Sequence, residues 1–355
     1  MANKKCLGPS TSQEYKKIIF ALMNTPKSIA VIGGGSWATA LVKIISENSN
    51  IQVDWWMRNE DAVNHIKEYG HNPNYISSVE FDTQKVNPSS NLQKIVSSND
   101  IIILATPAAF LSQQLSVLDK KAMSDKYIIS SIKGIVPETF QVIGHYLLEH
   151  WNVSKENLGI ITGPCHAEEV ALEKLSYLTV ASLNPALAEL LAKIIEGRYI
   201  KTKQTDDVFG VEYAAVLKNV YAIACGICHG LGYGDNFQAV LVSKAAIEME
   251  QFLDDSHNQH RDIKENAYMG DLLVTAYSQF SRNRTFGSML GKGYTVRSAQ
   301  MEMNMVAEGY YSTKTMYQIN KKVGTKMPIL NAVNDVIYNQ KSPKRTFKEL
   351  EPFLI

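Results

Sequence analysis

Cysteine is scarce in this chain: four among 355 residues, too few for a disulfide framework at this length. No sign of charge dominates either. Lys and Arg number 36 against 35 Asp and Glu, for a formal net charge of +1. That balance gives no reason to expect nucleic acid or a membrane surface as the main partner. Apolar runs of the roughly 18 residues a membrane span needs are missing. Near the start, the one apolar stretch, Ile18 to Met23, is too short for a signal peptide's hydrophobic region. Repeats and low-complexity tracts are absent. What is present is an ordinary globular composition, 45% hydrophobic and 20% charged, long enough for two domains with a core each. A cytoplasmic protein is the expectation. Cys225 and Cys228 form a CxxC in "YAIACGICHGLG", but no second CxxC or pair of histidines completes a zinc site. Core packing is expected for them, a helix end for His229, and no metal.

The first half alternates short apolar runs with helical segments. Ser28–Ile32, Ile51–Met57, Asp100–Ala105, Tyr127–Ile132 and Gly159–Thr162 are rich in strand formers, and "LTVAS" at Leu178 offers a further strand. Such near-continuous apolar runs suit strands buried on both faces of a parallel sheet. With a helical pattern over Ser36–Ser49, they predict an α/β Rossmann domain with a doubly wound parallel sheet and its ligand at the strands' carboxyl ends. After about Thr205 strand patterns vanish. Val208–Gly230, Ala239–Asp254, Asp271–Phe280 and Thr295–Ala307 read as helices. The expected division is an N-terminal extension over 1–25, a dinucleotide-binding domain over 26–205 and an all-helical substrate domain over 206–355.

"SIAVIGGGSWATALVKI" places Gly33-Gly34-Gly35-Ser36-Trp37-Ala38 directly after a strand and at the opening of a helix, the context a dinucleotide fingerprint requires. Gly33 permits the tight turn and Gly35 lets backbone approach a pyrophosphate. The helix-start amides at Ser36 and Trp37 face the phosphates, and Ala38 is an allowed replacement for the third glycine. A committed NAD enzyme carries an acid about 20 residues further on, and that count lands on Arg58. Arginine there can face a 2′-phosphate or stack on adenine; the alternative is a solvated strand-end residue. The competing acid, Asp54, falls within the strand. NADP as cofactor, with NADPH the preferred form, is the expectation, and NAD remains open.

Other motifs join this one: "LATPAAFL" at Leu104, "SIKGI" at Ser131, "GPCHAEEV" at Gly163, "GVEYAAVLKNVYAIACGICHGLGYGDN" at Gly210 and "GDLLVTAYSQFSRNRTFG" at Gly270. In this order the chain resembles soluble bacterial-type NAD(P)-dependent glycerol-3-phosphate dehydrogenases over about residues 29–309. The resemblance implies reversible reduction of dihydroxyacetone phosphate to sn-glycerol 3-phosphate for phospholipid synthesis, and a homodimer.

Lys218, mid-way along an apolar helix, is a costly charge unless a partner or substrate meets it. Burial there lowers its pKa, which suits an acid in one direction and a base in the other. The resemblance makes it the proton-transfer lysine, with Asn219 beside it as a substrate contact. Lys133 follows a strand at its carboxyl end. By resemblance it contacts substrate and cofactor and takes part in catalysis, either polarising the carbonyl or binding phosphate. Asp271 and Thr275 are four apart, hence on one helix face. The resemblance has Asp271 orient the catalytic lysine and Thr275 touch substrate; a capping Asp is the alternative. Ser281, Arg282 and Asn283 bring a hydroxyl, a cationic fork and an amide suited to phosphate. Arg282 is also expected at the cofactor. Within "GPCHAEEV", Gly163 is expected at the substrate and Ala167 at the cofactor. Glu308 matches a residue near the nicotinamide or ribose, or is a surface helix-end glutamate. Cys165-His166 and Ser243-Lys244-Ala245 depart from the usual pattern. A related dehydrogenase of another hydroxy acid, or a non-catalytic NADP(H) sensor, are the competing readings. The Ser281–Asn283 cluster argues against the first, and Lys218 with Asp271 against the second.

Overall fold

A computed structural model describes residues 26–48, 50–303 and 307–354; the extension over 1–25 lies outside the described residues. The chain opens with β1 (Ser28–Ile32), α1 (Ser36–Asn48), β2 (Gln52–Trp56), α2 (Glu60–Tyr69), β3 (Val86–Ser89), α3 (Leu92–Ser98), β4 (Ile101–Leu104), α4 (Ala108–Leu115) and β5 (Tyr127–Ser130). A short hairpin follows, β6 (Ile135–Val136) and β7 (Gln141–Val142), then α5 (Ile143–Trp151), β8 (Leu158–Thr162), α6 (Ala167–Ala171), β9 (Ser176–Ala181), α7 (Pro185–Ile195) and β10 (Ile200–Thr205). Apart from the hairpin, these strands form one eight-stranded sheet, ordered β10-β9-β8-β5-β4-β1-β2-β3. Neighbours run parallel except β8 and β9, which are antiparallel. Strand order reverses at β1, between β2 and β4, and such a switch point opens a crevice at the carboxyl ends. Ile29 to Ile32 and Ile102 to Leu104 are fully buried, as strands covered on both faces by helices must be.

Two sheet strands escape the apolar pattern because both lie at sheet edges. Pro88 sits in β3, an edge strand, where its missing N–H breaks no ladder on the open side. At the opposite edge β10 reads IKTKQT and half-exposes its lysines, charges that discourage further pairing.

The remainder is helical: α8 (Val208–Leu231), α9 (Asp235–Ser256), a π-turn over Asn266–Gly270, α10 (Asp271–Tyr277), α11 (Arg282–Gly291), α12 (Val296–Glu302), α13 (Glu308–Val323), α14 (Pro328–Ile337) and α15 (Pro343–Leu350). The helix expected to run to Phe280 stops at Tyr277, and Ser281 caps a new one. Thr295 likewise caps α12, which ends at Glu302; residues 304–306 of that expectation lie outside the described residues. By length and composition α8 could cross a membrane, but most of it is buried inside the fold. It is the central helix, apolar on every side because every side is covered. Asp207 caps it by accepting from Gly210 N at 3.0 Å, while receiving Arg261 Nε at 2.9 Å and the Tyr268 hydroxyl at 2.6 Å. Cys225 and Cys228 lie in its fully buried stretch, and burial pushes both thiols up. His229 stands exposed in its last turn.

Glycines let α8 and α11 cross backbone to backbone. A Cβ at Gly287 would stand 2.1 Å from Ile223 O, and one at Gly226 would stand 2.1 Å from Arg284 O. This contact fixes the height of Asn283 against Asn219. Gly287→Ala is expected to lower the unfolding free energy by roughly 1–3 kcal/mol through overpacking; an unchanged urea midpoint would contradict the close crossing.

Glu212 is buried in α8, and both its oxygens accept from Gly144 N, at 3.1 and 3.0 Å. Burial raises its carboxyl to about 8, against the opposing pull of the Gly144 amide. A carboxyl raised in the native state contributes fully below its unfolded value, 4.5, and that contribution is lost as pH rises through about 8. Wild type should therefore lose melting temperature relative to Glu212→Gln between about pH 4.5 and 8. A pH-independent gap between the two would refute it.

Candidate active site

Tryptophans pin the glycine turn between β1 and α1 in place. Trp55 Nε1 donates to Gly33 O at 2.6 Å, and Gly33 N donates to Trp56 O at 2.9 Å. Gly33 has φ of +141°, and a Cβ there would lie 2.4 Å from Ala105 O beyond β4. Only glycine fits that approach. At Gly35 a Cβ would meet nothing within 4 Å, so the turn presents an open cradle where the α1 amides of Ser36 and Trp37 begin. A pyrophosphate fits such a cradle, held by backbone N–H groups and the helix dipole. Ala38 is fully buried in the same apolar layer as Ile29 and Val31. Asn72, which no sequence pattern singles out, donates to Gly34 O at 3.2 Å and to Thr39 Oγ1 at 2.9 Å.

Arg58 is exposed just past the carboxyl end of β2. Asp54, the competing acid, is engaged inside the sheet: its carboxylate accepts from Asn99 Nδ2 at 2.8 Å and from Asn87 Nδ2 at 3.3 Å.

Two lysines from different halves of the chain converge on one carboxylate. Lys218 Nζ donates to Asp271 Oδ1, and Lys133 Nζ donates to Asp271 Oδ2 at 3.0 Å and to Gly163 O at 2.8 Å. Lys218 and Asp271 are buried, while Lys133 keeps about a fifth of its side chain exposed. Removing such charges from water is expensive, and mutual pairing offsets it. Burial raises the Asp271 carboxyl, but Lys133 and Lys218 outweigh it and hold the group below its ordinary value. Burial lowers Lys218 well below a lysine's usual range; Asp271 opposes this and Lys133 adds to it. Asp271 does not cap α10 with its side chain; it follows the π-turn, in already helical backbone.

Amides tie this cluster to the neighbouring helices. Asn219 Nδ2 donates to Lys133 O at 3.0 Å, Asn283 Nδ2 to Asn219 Oδ1 at 2.9 Å, and Gly309 N to Asn283 Oδ1 at 2.9 Å. Thr275 Oγ1 donates to Asp271 O at 2.6 Å, and Ser281 Oγ accepts from Arg284 N at 3.3 Å as the α11 cap. Arg282 stands exposed on the first turn of α11 and acts electrostatically on His166 and Glu308. Burial raises the Glu308 carboxyl to about 7, with Arg282 pulling the other way. Lys133 Nζ lies 6.0 Å from the Trp37 ring centroid, which brings the glycine turn beside the lysine cluster. Ala167 is buried as the first residue of α6.

Residues 28–188 match the family model for the N-terminus of NAD-dependent glycerol-3-phosphate dehydrogenase, and residues 207–348 the model for its C-terminus. The chain belongs to that glycerol-3-phosphate dehydrogenase family. A glycerol-3-phosphate dehydrogenase (NAD(P)+) of Staphylococcus carnosus is 31% identical over 315 residues, spanning 88% of this chain and 94% of the relative. One from Staphylococcus aureus is 33% identical over 325 residues, spanning 91% and 97%. Among solved structures, the crystal structure of glycerol-3-phosphate dehydrogenase from Coxiella burnetii superposes with a TM-score of 0.84 at 25% identity, covering 91% of this chain and 98% of that one. The Plasmodium falciparum glycerol-3-phosphate dehydrogenase shares the fold, with a TM-score of 0.83 at 21% identity over 93% and 97% of the two chains. NAD or NADP is therefore the cofactor class of this glycerol-3-phosphate dehydrogenase family member. Of its departures, Lys244 lines a cleft among α9, α14 and α15 that shares no residue with the lysine cluster. Cys165 and His166 lie beside the cluster, where burial pushes the Cys165 thiol up to about 11 and keeps it neutral.

Proposed function

We propose that the chain reversibly reduces dihydroxyacetone phosphate to sn-glycerol 3-phosphate with NAD(P)H, supplying the backbone for glycerophospholipid synthesis. The buried Lys218–Asp271–Lys133 cluster carries this reading. Two ammoniums on one carboxylate leave net positive charge, and Arg282 adds more at the rim. Such a site suits a phosphate-bearing ketone and repays its desolvation when the anion arrives. A nicotinamide cofactor, when bound, supplies the hydride.

Lys218 holds the proton delivered to the carbonyl oxygen, and its lowered pKa lets it accept that proton in the reverse direction. Asp271 fixes both lysine heads by its two oxygens. Lys133 polarises the carbonyl or binds phosphate, reaching toward substrate and cofactor alike from the carboxyl end of β5. Asn219, Thr275, Gly163, Ser281 and Asn283 line or brace the substrate chamber, and Arg282 meets the phosphate. Gly33, Gly35, Ser36, Trp37, Arg58, Ala167 and Glu308 complete the cofactor side. Residues 26–205 form the cofactor-binding unit and 206–355 the catalytic one. A cytoplasmic homodimer completes the proposal on family grounds.

Addition of dihydroxyacetone phosphate to enzyme and NADPH or NADH should oxidise the cofactor, and sn-glycerol 3-phosphate should reverse the reaction. Silence with both cofactors would overturn the reading. NADPH is the preferred form because the basic side chain past β2 is Arg58, and Asp54 is engaged elsewhere. Arg58→Ala is expected to raise the NADPH KM roughly 10-fold or more, the worth of one charge-assisted hydrogen bond, with NADH barely affected. Equal changes would show that Arg58 does not read the 2′-phosphate.

A further inference from the structure

His166 lies between β8 and α6, in a half-buried position outside the roles assigned so far. Its ring packs 6.0 Å from that of Phe280, and its side chain makes no cap bond to α6. The Nε2 atom is buried with no hydrogen-bond partner among the described residues. Burying such a group unpaired is unfavourable, a cost that a ligand atom removes by bonding to it.

Bonding capacity in the chamber is one-sided. Lys218, Lys133 and Arg282 only donate. Both oxygens of Asp271 are taken by the lysines, Gly163 O by Lys133, and Asn219 Oδ1 by Asn283. A ketone and a phosphate need donors and find them. The free hydroxyl of dihydroxyacetone phosphate also needs an acceptor, and each of those oxygens already accepts one hydrogen bond whereas the buried His166 Nε2 has none. Burial, then Lys218 and Lys133, lower the His166 imidazole to about 4, with Asp271 opposing. The ring is therefore neutral at assay pH, with one nitrogen able to accept.

We propose that His166 is a substrate-specificity residue whose Nε2, in the Nδ1–H tautomer, accepts the hydrogen bond of the substrate's free hydroxyl. This rests on the reading of the site as a reductase of dihydroxyacetone phosphate. A site built to bond a hydroxyl rejects the analogue that lacks it.

The test compares dihydroxyacetone phosphate with hydroxyacetone phosphate, in which a methyl replaces the free hydroxymethyl, for wild type, His166→Phe and His166→Gln. Wild type should favour the hydroxylated substrate in kcat/KM. His166→Phe should lose roughly 10- to 100-fold with that substrate, change little with the methyl analogue, and leave NADPH affinity and melting temperature intact. His166→Gln, whose amide oxygen reaches a similar point, should recover part of the loss. Equal losses on both substrates, or none, would overturn the assignment to His166 while wild-type turnover stands. Absence of wild-type turnover would overturn the underlying reading as well.

Discussion

Replacing Lys218 by Ala should lower kcat for reduction of dihydroxyacetone phosphate by about 10³-fold, within the 10²–10⁴-fold range of a positioned general acid. The expectation follows from where the side chain sits. An ammonium in the middle of a helix buried on every side has no structural use that an apolar residue would not serve better. Among the described residues its ion-pair partner is Asp271, which Lys133 also holds, so removal leaves a carboxylate that is still paired. Folding should survive, and NADPH binding should stay within a few-fold, because among the described residues no hydrogen bond links the glycine turn to Lys218. Single-turnover rates with saturating NADPH would separate lost chemistry from lost binding. A variant retaining wild-type kcat would remove Lys218 from proton transfer.

Asp271→Asn should be the more damaging change to the molecule as a whole. It leaves two buried or half-buried ammoniums facing each other across a neutral amide, and breaking a buried pair in this way costs about 3–5 kcal/mol. The pH dependence has a definite sign. Because the native carboxyl lies below its ordinary value of 3.8, its contribution is present above that value and is lost as pH falls through the native one. The carboxylate's own share of the stability gap between wild type and Asp271→Asn should therefore persist at neutral pH and be lost only in strong acid. Lys218 also loses the carboxylate that raises its pKa, so the reduction rate should peak at lower pH in whatever Asp271→Asn protein folds. Thermal melts across acid and neutral pH, with pH–rate profiles, read both effects; an Asp271→Asn protein as stable as wild type at neutral pH would contradict the pairing.

Much of this arrangement is legible in the sequence because its parts break local rules. Three glycines between a strand and a helix, and a lysine in an apolar helix, are each anomalous without a ligand. The structure brings Lys133, Gly163, Lys218, Asn219, Asp271, Thr275 and Asn283 into one hydrogen-bonded network. Other features depend on tertiary surroundings that no local pattern carries. Pro88 argues against a strand until β3 is known to be an edge. The antiparallel β9 looks, in sequence, like any other buried strand. The break at Ser278–Ser281 hides in an apolar, helix-like run, and only the fold makes Ser281 a cap. Asn72 reaches the glycine turn from a loop more than thirty residues away. His166 draws notice in sequence only as a departure; its unpaired nitrogen beside two lysines emerges when β8, α8 and α10 meet.

The decisive measurement is the ratio of kcat/KM for dihydroxyacetone phosphate to that for dihydroxyacetone, in wild-type enzyme with saturating NADPH. Two charge-assisted contacts to phosphate, at about 1.5–3 kcal/mol each, predict a preference of roughly 10³-fold or more for the phosphorylated ketone. A ratio near one, or turnover of neither compound with NADPH or NADH, would contradict a site in which Lys218, Lys133 and Arg282 await a phosphate-bearing substrate.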